Sequence, residues 1–258
     1  MRVHTLQGLE CRFQLCSVCI APSSPAWSKN MTTHQRRIKA PSAALPSDGL
    51  SQFIRAGAWA AIASGLALAA SLLVEWLVVP FEQLGQIEAY LTGSYLLSTG
   101  LRLLATILLV WALLGIYERQ SRAAGTLGLW ALVVALLGTA LQAGNTWAEV
   151  FVWPTLAQVA PNILLGHATE APVYLMMGMF LSGLIFGIGI IVFGVATFMA
   201  RVYPRWAPLL LIVSIPVTMF LKDTQGTFQE SIGQILFGIA VAALGWYALR
   251  RAPSHTSS

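Results

Sequence analysis

The chain reads as an all-α, polytopic membrane bundle of about six helices, on three grounds. Only 10% of its 258 residues are charged and 57% are hydrophobic, with a mean hydropathy of +0.71. A soluble domain carries about 25% charge, and one of this size could not cover its surface with so little. Charge-free runs recur along the chain, several of them reaching the roughly 20 apolar residues that cross a bilayer as a helix. Lys and Arg fall almost entirely between alternate runs, as loops retained on the cytoplasmic side do.

Residues 1–52 differ from the rest: Ser, Pro and Ala with scattered charge and no helical period. Glu10 and Arg12 interrupt the only apolar stretch that could serve as a secretory h-region. The stretch is expected to be a disordered basic cytoplasmic tail; an organellar transit peptide is the rival, since it is basic, Ser-containing and poor in acids. Met31 is a candidate true start, because MTTHQRR followed by a Pro/Ala/Ser linker makes an ordinary bacterial N-terminus. Cys11, Cys16 and Cys19 have the spacing of part of a ferredoxin cluster but lack the fourth Cys that such a cluster needs.

Span one is placed at 56–79, charge-free from Ala56 to Val74 and closed by Pro80. Span two, 93–117, carries one charge, Arg102. A tight basic turn, YERQSRAAG, leads to span three, 124–148, and a second, ARVYPRWAP, joins span four, 172–200, to span five, 206–221. Pro208 and Pro216 are expected to kink span five, which neighbouring helices tolerate in lipid. Span six covers 230–249, and 251–258 form a second cytoplasmic tail. With six spans, Arg102 and Lys222 are the two basic residues away from the inner side, and the other 13 of 15 lie on it. Both termini are therefore expected in the cytoplasm, and the membrane to be the plasma (inner) membrane of a bacterium. The pI near 9.4 then reports topology and contact with lipid head groups, and no nucleic-acid partner is expected.

The segments GIYERQSRAAGTLGLWALVVALLGTAL and FGVATFMARVYPRWAPLLLIV resemble parts of small, uncharacterised six-helix bacterial integral membrane proteins. The resemblance covers about residues 55–250; it implies the fold and brings no activity with it.

In lipid, helices associate through small residues that let backbones approach and through polar contacts. Span three has Gly128, Ala131, Ala135, Gly138, Gln142, Asn145 and Glu149 on one face; span four has Gly183, Gly187 and Gly194; span six has Ser231, Gln234, Gly238, Ala242 and Gly245; span two has Ser94, Ser98, Arg102 and Thr106. The glycines are expected to be packing points. An ionised side chain at membrane depth needs a partner. At 1.5 Å per residue, Arg102 lies about 22 Å from the inner end of its span and Glu75 about 28 Å from the inner end of its own. An intramembrane Glu75–Arg102 pair follows, with separate interfacial charges or a ligand-facing role as alternatives. Gln142, Asn145, Glu149, Glu230 and Gln234 form an outer-half polar cluster, while the inner half is apolar. A through-going ion path needs polar groups across the whole thickness and is disfavoured; a pocket open to the outside is allowed. The stretch from Asn145 to Pro172, with Trp147, Trp153, Pro154 and Pro161, either covers such a pocket or supplies an interfacial aromatic belt.

His4, His34, His167 and His255 all lie outside the spans, as do Asp48 and Asp223, so intramembrane haem ligation, serine proteolysis and aspartyl chemistry lack their residues. HExxH, GxSxG and GxxxxGK[ST] are absent. No cofactor or metal is expected, and no catalytic set is legible. The leading reading is a non-enzymatic bundle binding membrane lipid, a small amphiphile or a partner helix in its outer half. A small secondary transporter comes second and a lipid-modifying membrane enzyme third.

Overall fold

The structure, a computed structural model, describes residues 47–79, 81, 85–164, 173–220 and 228–250. The three cysteines, Met31, His167, Lys222, Asp223 and the C-terminal tail lie outside the described residues, as does the Glu230 side chain. Among the described residues the regular elements are all helices: α1 (Ser47–Val78), α2 (Gln86–Ala89), α3 (Gly93–Phe151), α4 (Trp153–Val159), α5 (Pro161–Leu164), α6 (Val173–Ala200), α7 (Trp206–Phe220) and α8 (Phe228–Arg250). Of these, α1, α3, α6 and α8 are long and apolar enough to cross a membrane, and α7 is a shorter apolar helix. The chain is membrane-embedded.

α1 starts at Ser47, inside the stretch expected to be a tail and well before Ala56. The reason is local: SDGLSQFIR contains no proline, and extending a helix that already exists adds one hydrogen bond per residue fixed. α3 holds the larger departure. At 59 residues a straight helix would be about 90 Å long, roughly three times the hydrocarbon core. Instead Gly125, at φ 55° and ψ −147°, interrupts it. There the chain folds back, so that Arg102 and Glu149 of this one element approach to 3.6 Å. The expected nine-residue turn is thus compressed into one glycine, because Glu, Arg, Gln and Ala are good helix formers and keep the flanks helical.

That backbone region is open essentially to glycine alone. Replacing Gly125 by Ala is expected to cost about 1–3 kcal/mol, although nothing lies within 4 Å of the added methyl. Gly144→Ala, equally open but helical, should be neutral or stabilise by up to about 1 kcal/mol. Thermal unfolding in one detergent checks the pair, and equal midpoints would refute the conformational account.

The two arms of α3, residues 93–124 and 126–151, stand in a ring with the other long helices. Each seam is marked by a glycine where a Cβ would strike its neighbour. Gly57 of α1 meets Gly115 of the first arm, at 2.6 Å from its Cα. Gly65 of α1 meets the Gly238 carbonyl of α8 at 2.5 Å, and Gly245 meets Ala58 of α1, also at 2.5 Å. Gly233 of α8 abuts the Thr218 hydroxyl of α7. Gly187 and Gly194 of α6 face Ile215 and Ile212 of α7, at 3.0 and 2.7 Å. Gly138 of the second arm faces Phe186 of α6, and Gly128 faces Tyr117 of the first arm across the fold-back. Gly183 departs from expectation. Nothing lies within 4 Å of its Cβ position, because α6 there borders open space. Pro208 also differs: it lies in the first turn of α7, where a missing N–H costs little, while Pro216 lies inside the helix.

One end of the ring is solid. Leu113 and Ile116 of the first arm, Ile190 and Phe193 of α6, Leu211 of α7 and Leu244 of α8 are almost fully buried in a single apolar core. The end carrying Gly125 is tied by Arg119, which donates to the Tyr247 carbonyl at 3.2 Å and to the Ala248 carbonyl. A cation there complements the C-terminal end of α8. Arg119 also stands 5.7 Å over the Tyr203 ring. Burial pushes the Tyr203 phenol well above its ordinary value, so it keeps the proton that it donates to the Ile116 carbonyl at 3.4 Å. Beside this tie, Gln120 donates to the Thr197 hydroxyl at 2.9 Å, both side chains fully buried.

Candidate functional site

Toward the other end the ring does not close on itself. It encloses a cavity of about 750 Å³, within the range of small-molecule sites. Every long helix contributes to its wall: Ser64 and Leu68 from α1, Arg102 and Thr106 from the first arm, Gln142, Asn145 and Glu149 from the second. α6 adds Met179, Phe180, Gly183 and Phe186, α7 adds Ile215, Thr218 and Met219, and α8 adds Gln234 and Phe237. Trp153 from α4, with Ile163 and Leu164 from α5, completes the lining.

The charged corner follows from helix geometry. Side chains lean toward the N-terminus of their own helix. In the antiparallel pair of α1 and the first arm, Glu75 and Arg102 therefore lean toward one another across the level of Ser71 and Ser98. Arg102 donates to the Glu75 carboxylate, and its other terminal nitrogen stands 3.6 Å from Glu149 Oε2. Ser98 donates to Glu75 Oε2 at 3.5 Å and to the Ser71 carbonyl at 3.1 Å. Two carboxylates thus face one guanidinium, where the sequence had paired it with Glu75 alone.

The remaining polar wall is largely committed within the protein. Ser64 donates to the Ala105 carbonyl at 2.8 Å, Thr106 to Arg102 at 2.9 Å, Thr146 to Gln142 at 3.0 Å and Thr218 to Ser214 at 2.9 Å. Asn145 donates to the Ser182 hydroxyl and, at 3.3 Å, to the Met179 carbonyl, tying the second arm to α6. Gln234 differs: its buried Oε1 has no hydrogen-bond partner among the described residues.

A cover of aromatic residues lies at this end. Trp153 stacks edge-on to Tyr90 at 5.5 Å, and Tyr90 lies 4.9 Å from Tyr95. Val79, Ala89 and Ala157 are buried among them. Thr92 accepts from the Tyr95 amide at 3.3 Å and so caps α3 just where the cover meets it. Trp76 of α1 donates to Ser231 of α8 at 2.9 Å, closing the ring beside the cover. Trp147, by contrast, is 53% exposed and points outward. Trp153 therefore lines the cavity, and Trp147 lies on the outer surface.

Of the residues singled out in the sequence, Arg102, Gln142, Asn145, Glu149 and Gln234 meet in this one cavity, with Glu75 behind Arg102. Gly183 joins them as a wall residue. Ser64, Thr218, Phe180 and Phe237 were missed. The two aromatics carry no signal in an apolar span, whereas Ser64 and Thr218, polar in otherwise apolar runs, could have been noticed. Among the described residues no group of His, Cys, Asp and Glu could hold a metal ion. Comparison with protein-family models, with curated proteins and with solved structures returns no match for this chain.

Proposed function

We propose that the chain crosses the plasma membrane six times with both termini in the cytoplasm, and that it is a binding protein whose cavity opens outward and takes a membrane lipid or small amphiphile. Six crossings make the two arms of α3 separate spans and count α7 as a short fifth. This reading is supported by the gathering of Arg119, Arg122, Arg201, Arg205 and Arg250 around the Gly125 end of the helices, since basic residues are retained inside.

The observation that carries the binding role is the mixed chemistry of the cavity wall. Arg102, Glu149, Gln142, Asn145 and Gln234 supply its polar groups, and Phe180, Phe186, Met219 and Phe237 supply much of its apolar surface. A molecule with a polar head and an apolar body matches both. A carrier would have to open the solid core around Phe193 and Leu113, which favours binding over passage.

Gly183→Phe tests the reading, because the added ring enters the cavity and meets no packed neighbour at its base. Native mass spectrometry of the wild type should show a co-purifying amphiphile. The variant should lose it while its unfolding midpoint changes by only a few degrees. An empty wild-type protein, or a variant that retains the ligand, would overturn the proposal.

A further inference from the structure

Resting on that reading, we infer that the ligand carries a neutral, hydroxyl-bearing head, recognised by Gln142 and Gln234. Most polar groups of the wall are already engaged. Serine and threonine hydroxyls there already donate to main-chain carbonyls. The Asn145 amide nitrogen is held by Ser182 and Met179. The guanidinium of Arg102 faces Glu75 and Glu149. Two side-chain amides are left. Gln234 Oε1 is buried with no hydrogen-bond partner among the described residues, and Gln142 contributes its main-chain carbonyl, accepting from Thr146, to the bonds described.

A buried acceptor without a donor has lost its water and gained nothing in return, so the wall gains when a ligand supplies the donor. A primary amide offers donors and an acceptor, and a hydroxyl group can both give and take. It therefore matches either glutamine whichever way the amide is turned. Charged heads fare worse. An anionic head has to compete with Glu75 and Glu149 for Arg102, and a cationic head, though drawn by the second carboxylate, has to share Glu149 with the guanidinium. Groups that discriminate by such competition set specificity without adding affinity. The apolar body of the ligand is directed toward Met179, Phe180, Phe186, Met219 and Phe237.

Three probes of equal tail length separate the heads: monodecanoylglycerol, decanoate and decyltrimethylammonium. Each is titrated against the full chain in phosphatidylcholine nanodiscs, which avoids a sugar-headed detergent as competitor. Monodecanoylglycerol is expected to bind at least tenfold more tightly than the other two. Gln142→Met and Gln234→Met, of similar shape, should each weaken it about tenfold, the size of one lost hydrogen bond, and leave decanoate and decyltrimethylammonium unchanged. Equal binding of the three heads, or monodecanoylglycerol binding that ignores both substitutions, overturns the inference and leaves the cavity reading intact. Should none of the probes bind the wild type, and Gly183→Phe carry the same co-purified lipid, the cavity reading itself fails. The comparison of heads on the wild type decides the matter even if a glutamine variant does not fold.

Discussion

Arg102→Met is expected to destabilise the protein by about 3–5 kcal/mol, the cost of breaking a buried pair from one side. It removes the guanidinium that both Glu75 and Glu149 face, whose side chains are 30% and 17% exposed. Glu75→Gln should cost less, about 1–2 kcal/mol, because Arg102 keeps Glu149 and an amide can still accept one hydrogen bond. Replacing all three (Glu75→Gln, Arg102→Met, Glu149→Gln) should recover most of the loss, since no charge is then held at membrane depth. Unfolding midpoints in a single detergent, arranged as a double-mutant cycle, make the check. Strict additivity of Glu75→Gln and Arg102→Met, in a region where neighbours normally couple by 0.5–3 kcal/mol in either direction, roughly, would show that the three groups do not act as a unit.

Much of this corner was legible because depth is legible. Counting residues from the ends of two antiparallel spans set Glu75 and Arg102 within a side chain's reach, and the lean of side chains along each helix does the rest. Glu149 could be placed in the same layer as Gln142 and Asn145, yet its approach to Arg102 depends on where α3 turns back. That point is Gly125, the last residue of the expected turn YERQSRAAG; the basic run marks a turn without saying which residue makes it. The same limit governs the glycines. Small residues at helical spacing identify a face, and Gly138, Gly187, Gly194, Gly238 and Gly245 do meet neighbouring helices. They do not say how far along α6 the neighbour extends, so Gly183 was expected in a seam and stands instead at open space. Gly57, Gly65, Gly115, Gly189 and Gly233 are close-contact points too, and they went unread, although Gly57, Ala61 and Gly65 recur at i+4. The apolar wall was invisible for a simpler reason. In a span where most residues are Leu, Phe, Val or Met, lipid-facing and cavity-facing positions have the same composition.

The seam between α1 and the first arm of α3 carries the second large expected effect. At Gly57 a Cβ would lie 2.6 Å from the Gly115 Cα and 2.9 Å from the Trp111 carbonyl oxygen. Both are main-chain atoms and cannot rotate aside, so one methyl must push two helices apart. Overpacking of this kind costs about 1–3 kcal/mol, and Gly57→Val, with two more carbons, should reach or exceed the top of that range. Gly57→Ala and Gly115→Ala should be less than additive, since the first substitution opens the gap that the second would need. Gly100→Ala, on the same arm but with nothing within 4 Å, is the control and should cost nothing measurable. The consequence reaches the charged corner, because the seam sets the separation of the two helices that bear Glu75 and Arg102. In a Gly57→Ala background the coupling between those two residues should fall, whereas in a Gly100→Ala background it should hold. If coupling at Arg102 is indifferent to Gly57, the ion pair is set by its own local contacts with Ser98 and Glu149, and the close helix approach contributes stability alone.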